Sequence, residues 1–246
     1  MPYSLKDTIN NLSVNSLKEK FSDYKQFSLK EILDFYRVKE PLVKKTTVQW
    51  RVTKLLELGI IQRIGRGKYT MGNYRKFKPY STRQIKKTHH NLISGFPDAK
   101  YCLWSTEWLK TYLPELSVQI IFVEGIEKEP SSFFFHLWEK REGTVWYGLP
   151  KRISKTFGKK QVIVRRMISG SPLLETEGIF YAHLEKIIVD LYCDWDSFYP
   201  DNKPAFQKLL KKLHKDFSIN ESKLLRYADR RKKKEVFVKI LKRVKP

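Results

Sequence analysis

The stretch Leu55–Met71, "LLELGIIQRIGRGKYTM", decides how the front of the chain is read. Leu55 and Leu56 complete an apolar face begun by Val48 and Val52 at i, i+4, i+7 and i+8, and Gly59 supplies a helix stop. "IIQRIGRGKYTM" then predicts two short strands about Gly65-Arg66-Gly67, because glycine adopts the positive φ that a tight hairpin turn requires. Working backwards, a loop with Pro41 leads into this third helix, which is expected to start at Thr46 or Thr47. In "SLKEILDFYR", Ser28 and Glu31 form a capping box, and Leu29, Ile32, Leu33 and Tyr36 share one face. In "NSLKEKFSDYK", Leu17, Phe21 and Tyr24 recur at helical spacing after a cap at Asn15. Three helices followed by a hairpin is the winged helix-turn-helix pattern.

Charge sharpens that expectation. The 246 residues carry 49 Lys+Arg against 26 Asp+Glu, a formal net charge of +23, which favours polyanionic partners, nucleic acid first. From Lys44 to Lys78 there are ten basic residues and one acid, Glu57. If Val48, Val52, Leu55 and Leu56 face inward, Thr47, Gln49, Trp50, Arg51, Thr53 and Lys54 lie on or beside the outer face of the third helix. Gln pairs bidentately with adenine, Arg with guanine, and Thr or Lys holds phosphates. Lys44 and Lys45 would grip the backbone, and Arg63, Arg66 and Lys68 of the hairpin would lie on flanking phosphates or in the minor groove. Trp50 reads equally well as a packing residue.

Apolar periodicity lapses over "MGNYRKFKPYSTRQIKKTHH", Met71–His90, which reads as a linker between a DNA-binding domain, 1–79, and a second domain, 80–246. In the second part "YCLWST", "SVQIIFVEG", "TVWYGL" and "QVIVRRM" read as strands, and "TEWLKTYL" and "PSSFFFHLWEKR" as helices. "FYAHLEKIIVDLYCDW", "PAFQKLLKKLHKDF" and "ESKLLRYADRRKKKEVFVKILKRV" read as a terminal helical bundle. The fold class is therefore α/β in the α+β sense: a winged helix, then a mixed α/β domain ending in helices. Two further basic runs are left open: "KRISKTFGKKQVIVRR" (Lys151–Arg166, with Phe157 as a stacking face) suits a nucleic-acid backbone or a solvated strand edge, and "RRKKK" (Arg230–Lys234) suits nucleic acid, an acidic protein or solvent.

No apolar run reaches the roughly 18 residues that span a bilayer, and "MPYSLKDTIN" lacks a signal peptide's apolar region, so no membrane partner and a cytoplasmic location are expected. Cys102 and Cys193 are too few for a disulfide framework and read as reduced core residues. The five histidines show no metal-ligand spacing, and no phosphate-binding glycine loop or nucleophile elbow occurs, so no catalytic residue, metal or cofactor is expected. The contrary possibility is a metal-dependent nuclease using carboxylates of "LLETEGIFYAHLEKIIVDL": Glu175, Glu177, Glu185 and Asp190. Asp190 follows Lys186 at i+4, however, which an ion pair explains without chemistry. A transcription factor with a ligand-sensing second domain is a third reading.

"VTKLLELGIIQRIGRGKYTM", Val52–Met71, with Arg66, Gly67, Lys68 and Tyr69 at its turn, resembles the N-terminal winged helix of the AbiE-type (AbiEi) antitoxins and related regulators. "EGIFYAHLEKIIVDLY" and "SKLLRYADRRKKKEVFVKIL" resemble segments of that family's second domain, in the same order. The resemblance implies a non-enzymatic antitoxin of a type IV-like toxin-antitoxin system of the kind used in phage defence. Its winged helix would bind and repress its own promoter on double-stranded DNA, and its second domain would counter a nucleotidyltransferase-like toxin, as that family often does without a lasting complex.

Overall fold

The structure, a computed structural model, describes residues 12–24, 26–72, 76–114, 118–126, 130–140, 144–153, 160–199 and 203–244. It is a mixed α+β chain with two sheets and, among the described residues, ten α-helices. Contacts divide it into two units: Met1–Lys76 with Asp216–Ser222, and Phe77–Lys215 with Lys223–Pro246.

In the first unit, α1 (Val14–Phe21), β1 (Phe27–Ser28), α2 (Leu29–Lys39), α3 (Lys45–Glu57), β2 (Ile61–Gly65) and β3 (Lys68–Met71) follow one another. The Ser28 capping box is complete: Ser28 Oγ accepts from Glu31 N–H at 3.2 Å, and Glu31 Oε2 accepts from Ser28 N–H at 2.7 Å. The expected inward faces meet in one core, where Leu17, Phe21, Ile32, Tyr36, Val48, Val52 and Leu55 are buried with Ile61, Tyr69 and Met71. Leu29, Leu33 and Leu56 pack on it half-buried.

Several boundaries differ from expectation. The N-cap of α1 is Ser13, so Asn15 is inside the helix, and Tyr24 lies beyond its end. Helix α3 starts at Lys45 with Lys44 as its cap, a position or two before the threonines. In the hairpin only Gly67 has the left-handed φ, 67°; Gly65 ends β2 opposite Lys68, and a register shift between Arg63 and Gly65 takes up the extra residue. A third strand, β1, pairs Phe27 with Tyr69 and sets the sheet order β1-β3-β2, all antiparallel.

The second unit is built on a six-stranded sheet, order β6-β7-β5-β4-β9-β8. Its strands are β4 (Tyr101–Ser105), β5 (Gln119–Gly125), β6 (Thr144–Tyr147), β7 (Lys160–Arg166), β8 (Leu173–Thr176) and β9 (Ile179–Ala182). The β5/β7, β6/β7 and β4/β9 pairs are parallel, and β4/β5 and β8/β9 are antiparallel. Central strand β4 is buried along its length and β5 from Ile120 onward, as expected where both faces are covered. The helices are α4 (Arg83–Gly95), α5 (Pro130–Glu139), α6 (Leu184–Cys193), α7 (Trp195–Phe198), α8 (Lys203–Asp216), α9 (Glu221–Arg230) and α10 (Lys234–Val244).

Three readings of this part are corrected. The supposed linker holds α4, whose N-cap Thr82 accepts from Ile85 N–H at 3.2 Å. "TEWLKTYL" contributes one 3₁₀ turn, Thr106–Leu109. "FYA" belongs to strand β9, and the helix begins only after His183. No helix among the described residues is long and apolar enough to cross a membrane.

Candidate nucleic-acid interface

Helix α3 buries Val48, Val52 and Leu55, so helical geometry turns Thr47, Gln49, Trp50 and Thr53 to solvent. Lys44 and Lys45 stand exposed at its N-terminus, where no acidic residue occupies the first turn. Trp50 is 52% exposed, which gives its ring a free face. In the hairpin Arg63, Arg66 and Lys68 are exposed while Ile61, Tyr69 and Met71 anchor the strands in the core. The turn is held at its backbone, Arg66 N–H donating to Ser222 Oγ at 3.1 Å.

Three of the ten residues singled out in the sequence are already engaged, Arg63 by donating its Nε–H to the Gly65 carbonyl at 3.3 Å. The Arg51 guanidinium pairs with Glu40 at 2.9 Å and lies over the Tyr36 ring, 4.6 Å from its centroid. Tyr36 in turn donates its hydroxyl to the Leu12 carbonyl at 2.7 Å, so Arg51 braces α3 against α2. Lys54 is half-buried and pairs with Glu57 at 2.7 Å. The one acid of the Lys44–Lys78 stretch, Glu57, and Glu40 just before it are thereby paired, and Lys44, Lys45, Arg63, Arg66 and Lys68 are exposed cations of α3 and the hairpin.

The carboxylates considered for a metal go elsewhere. Asp190 lies at the centre of a buried ionic cluster in the second unit. Its oxygens accept from Lys186, one turn earlier on α6, and from the Tyr227 hydroxyl at 2.8 Å; Arg165 and Arg231 each approach to 3.5 Å. Lys186, fully buried, also pairs with Glu124 of β5. Arg165 of β7 binds Glu124 at 2.8 Å and Asp194 at 2.6 Å, and Trp104 Nε1–H donates to Glu124 at 3.4 Å. Burial alone would raise the Glu124 carboxyl, but the Lys186 ammonium and Arg165 guanidinium override it and hold its pKa at about 2. For Asp194 burial prevails and raises the pKa despite Arg165.

The charges of the cluster balance, three carboxylates against three cations. Glu185 approaches His183 at 3.7 Å, and Glu175 and Glu177 are exposed at the β8–β9 turn. Among the described residues no three His, Cys, Asp or Glu side chains are grouped to hold a metal. Cys102 is buried and Cys193 half-buried, both as free thiols.

Glu124 and Arg165 were not singled out as site residues; only the i,i+4 spacing of Lys186 and Asp190 signalled the cluster. Of the basic runs, Arg165 and Arg231 turn into it, while Phe157 lies outside the described residues.

A mixed α+β chain with a small helix-and-hairpin unit and a larger sheet unit is the class these observations define. The chain belongs to DUF6577, a family of unknown function, which it matches over residues 47–246. That match runs from the exposed face of α3 to the end of the chain. No curated protein matches it.

Proposed function

We propose that the first unit is a winged helix-turn-helix and that it binds double-stranded DNA. Helix α3 enters the major groove, presenting Thr47, Gln49 and Trp50 to base edges, with Lys44 and Lys45 on the backbone at its entry. Arg63, Arg66 and Lys68 of the hairpin hold flanking phosphates. The observation that carries the reading is the sorting of charge on α3 and the hairpin: their one acid, Glu57, is paired with Lys54, Arg51 is paired with Glu40 before the helix, and five further cations are exposed on the two elements that such a fold applies to DNA.

The protein acts as an autorepressor and antitoxin in a two-gene toxin-antitoxin system, its second unit countering a nucleotidyltransferase-like toxin. This part of the reading rests on the resemblance of three ordered segments to AbiEi antitoxins. Glu124, Asp190 and Asp194 are each bound by cations, which favours a structural use of the cluster over metal-assisted cleavage.

Gel-shift titration with the DNA upstream of its own gene tests the DNA claim, with Lys44→Ala/Lys45→Ala and Arg63→Ala/Arg66→Ala variants expected to weaken binding. Co-expression with a neighbouring nucleotidyltransferase-like gene tests the antitoxin claim. Growth arrest unrelieved by this protein would remove it.

A further inference from the structure

The second unit carries a cleft of about 900 Å³ whose chemistry the DNA reading does not use. It is lined by Lys223, Arg226 and Arg230 of α9, Lys232 just beyond that helix, His183 ahead of α6, and Gly170, Pro172 and Leu173 at the start of β8. The volume falls within the roughly 300–1,000 Å³ of small-ligand sites. The three α9 cations recur at i, i+3 and i+7, one face of the helix, while Leu224, Tyr227 and Ala228 bury the other.

Four permanent cations therefore face one carboxylate, Asp229, which pairs with Lys234 at 3.8 Å. His183 is the N-cap of α6, so the positive end of that helix dipole adds to the field, against the nearby Glu185. Burial and the neighbouring Lys223 ammonium lower the His183 pKa against the opposing pull of Glu185.

Lys232 provides an independent sign. It has φ 55°, a left-handed conformation, at the position where α9 ends. Lys233 N–H donates to the Ala228 carbonyl at 2.8 Å and Lys232 N–H to that of Asp229 at 2.9 Å, the paired bonds of a Schellman cap. Glycine is the unstrained residue at that position; here a lysine stands there and lines the cleft.

We propose that this cleft binds a compact polyphosphate, such as the di- or triphosphate chain of a nucleotide. A single phosphate monoester brings only about −2, fewer charges than the four permanent cations that line the walls. The arginine forks suit paired phosphate oxygens. None of the residues lining this site is among those assigned to DNA.

The test is calorimetric titration of the full-length protein with inorganic triphosphate at constant ionic strength, with sulfate as control. One saturable site is expected. Arg226→Ala/Arg230→Ala should weaken it at least tenfold, since each charged hydrogen bond is worth about a factor of ten or more, whereas Lys44→Ala/Lys45→Ala should leave it unchanged. Lys232→Gly should weaken binding several-fold while the melting temperature stays level or rises by about 2–4 °C, which separates ligand loss from misfolding. Equal affinity in the cleft variants, sulfate binding as tightly as triphosphate, or displacement by an oligonucleotide at a lower phosphate concentration would each overturn the proposal.

Discussion

Replacing Lys186 with Met tests whether the buried cluster acts as one unit. Lys186 is 0% exposed and shared between Asp190 and Glu124, whose side chains are 1% and 2% exposed. Its removal leaves two carboxylates in the interior with less positive charge than they need. Breaking a buried ion pair from one side costs about 3–5 kcal/mol, much of it the desolvation of the partner left behind. At about 2–4 °C per kcal/mol for a chain of this size, the second unit should melt roughly 6–20 °C lower. Differential scanning calorimetry of wild type, Lys186→Met, Glu124→Gln and the double variant gives the coupling directly. Since Glu124→Gln removes one of the charges that Lys186 balances, the double variant should be more stable than the sum of the single losses by about 0.5–3 kcal/mol. A Lys186→Met loss below about 1 kcal/mol, or strictly additive losses, would refute the account of a coupled cluster.

Two further outcomes follow from the same geometry. The folded pKa of Glu124, about 2, lies below its ordinary 4.5, so the stability it contributes is complete above pH 4.5 and is lost as pH falls through about 2. Asp194, whose pKa is raised, opposes this by gaining its proton more readily in the fold. Glu124→Gln should therefore flatten the loss of stability across that window in a pH series of urea midpoints, and an unchanged slope would remove Glu124 as its source. In the first unit, Arg51→Ala should cost about 1–3 kcal/mol by freeing Glu40 and uncovering Tyr36, measured by urea unfolding. On the proposed DNA reading it should change the salt dependence of binding by less than one phosphate contact, because Glu40 already neutralises that guanidinium.

The first unit was largely legible because its signals are local. The Ser28–Glu31 box, the spacing of Val48, Val52 and Leu55, and the glycines of the hairpin each lie within one element. Strand β1 escaped because two residues cannot show alternation, and its partner, Tyr69, lies far along the chain. Helix α4 escaped because its buried face is Ile85, Thr88 and Leu92, with a threonine where an apolar repeat would have shown it. Strand β9 runs into α6 with only His183 between them, so the apolar spacing of the helix absorbed it.

The cluster was legible only in its i,i+4 pair. Glu124, Arg165 and Arg231 come from three distant segments, and charge in a very basic chain reads as surface until the sheet brings the strands together. Likewise, the sequence shows Arg51 and Lys54 as available cations, while tertiary structure pairs Arg51 with Glu40 across the α2–α3 connection.

The central claim is that α3 and the hairpin neutralise DNA phosphates. Fluorescence anisotropy with duplex DNA from upstream of the gene, titrated across salt concentrations, measures it most directly. Five exposed cations, Lys44, Lys45, Arg63, Arg66 and Lys68, at about 0.9 per phosphate, give a slope of log K against log salt near −4 to −5, and Arg63→Ala/Arg66→Ala/Lys68→Ala should reduce its magnitude by about 3. A slope near zero, or one that the triple variant leaves unchanged, would contradict it.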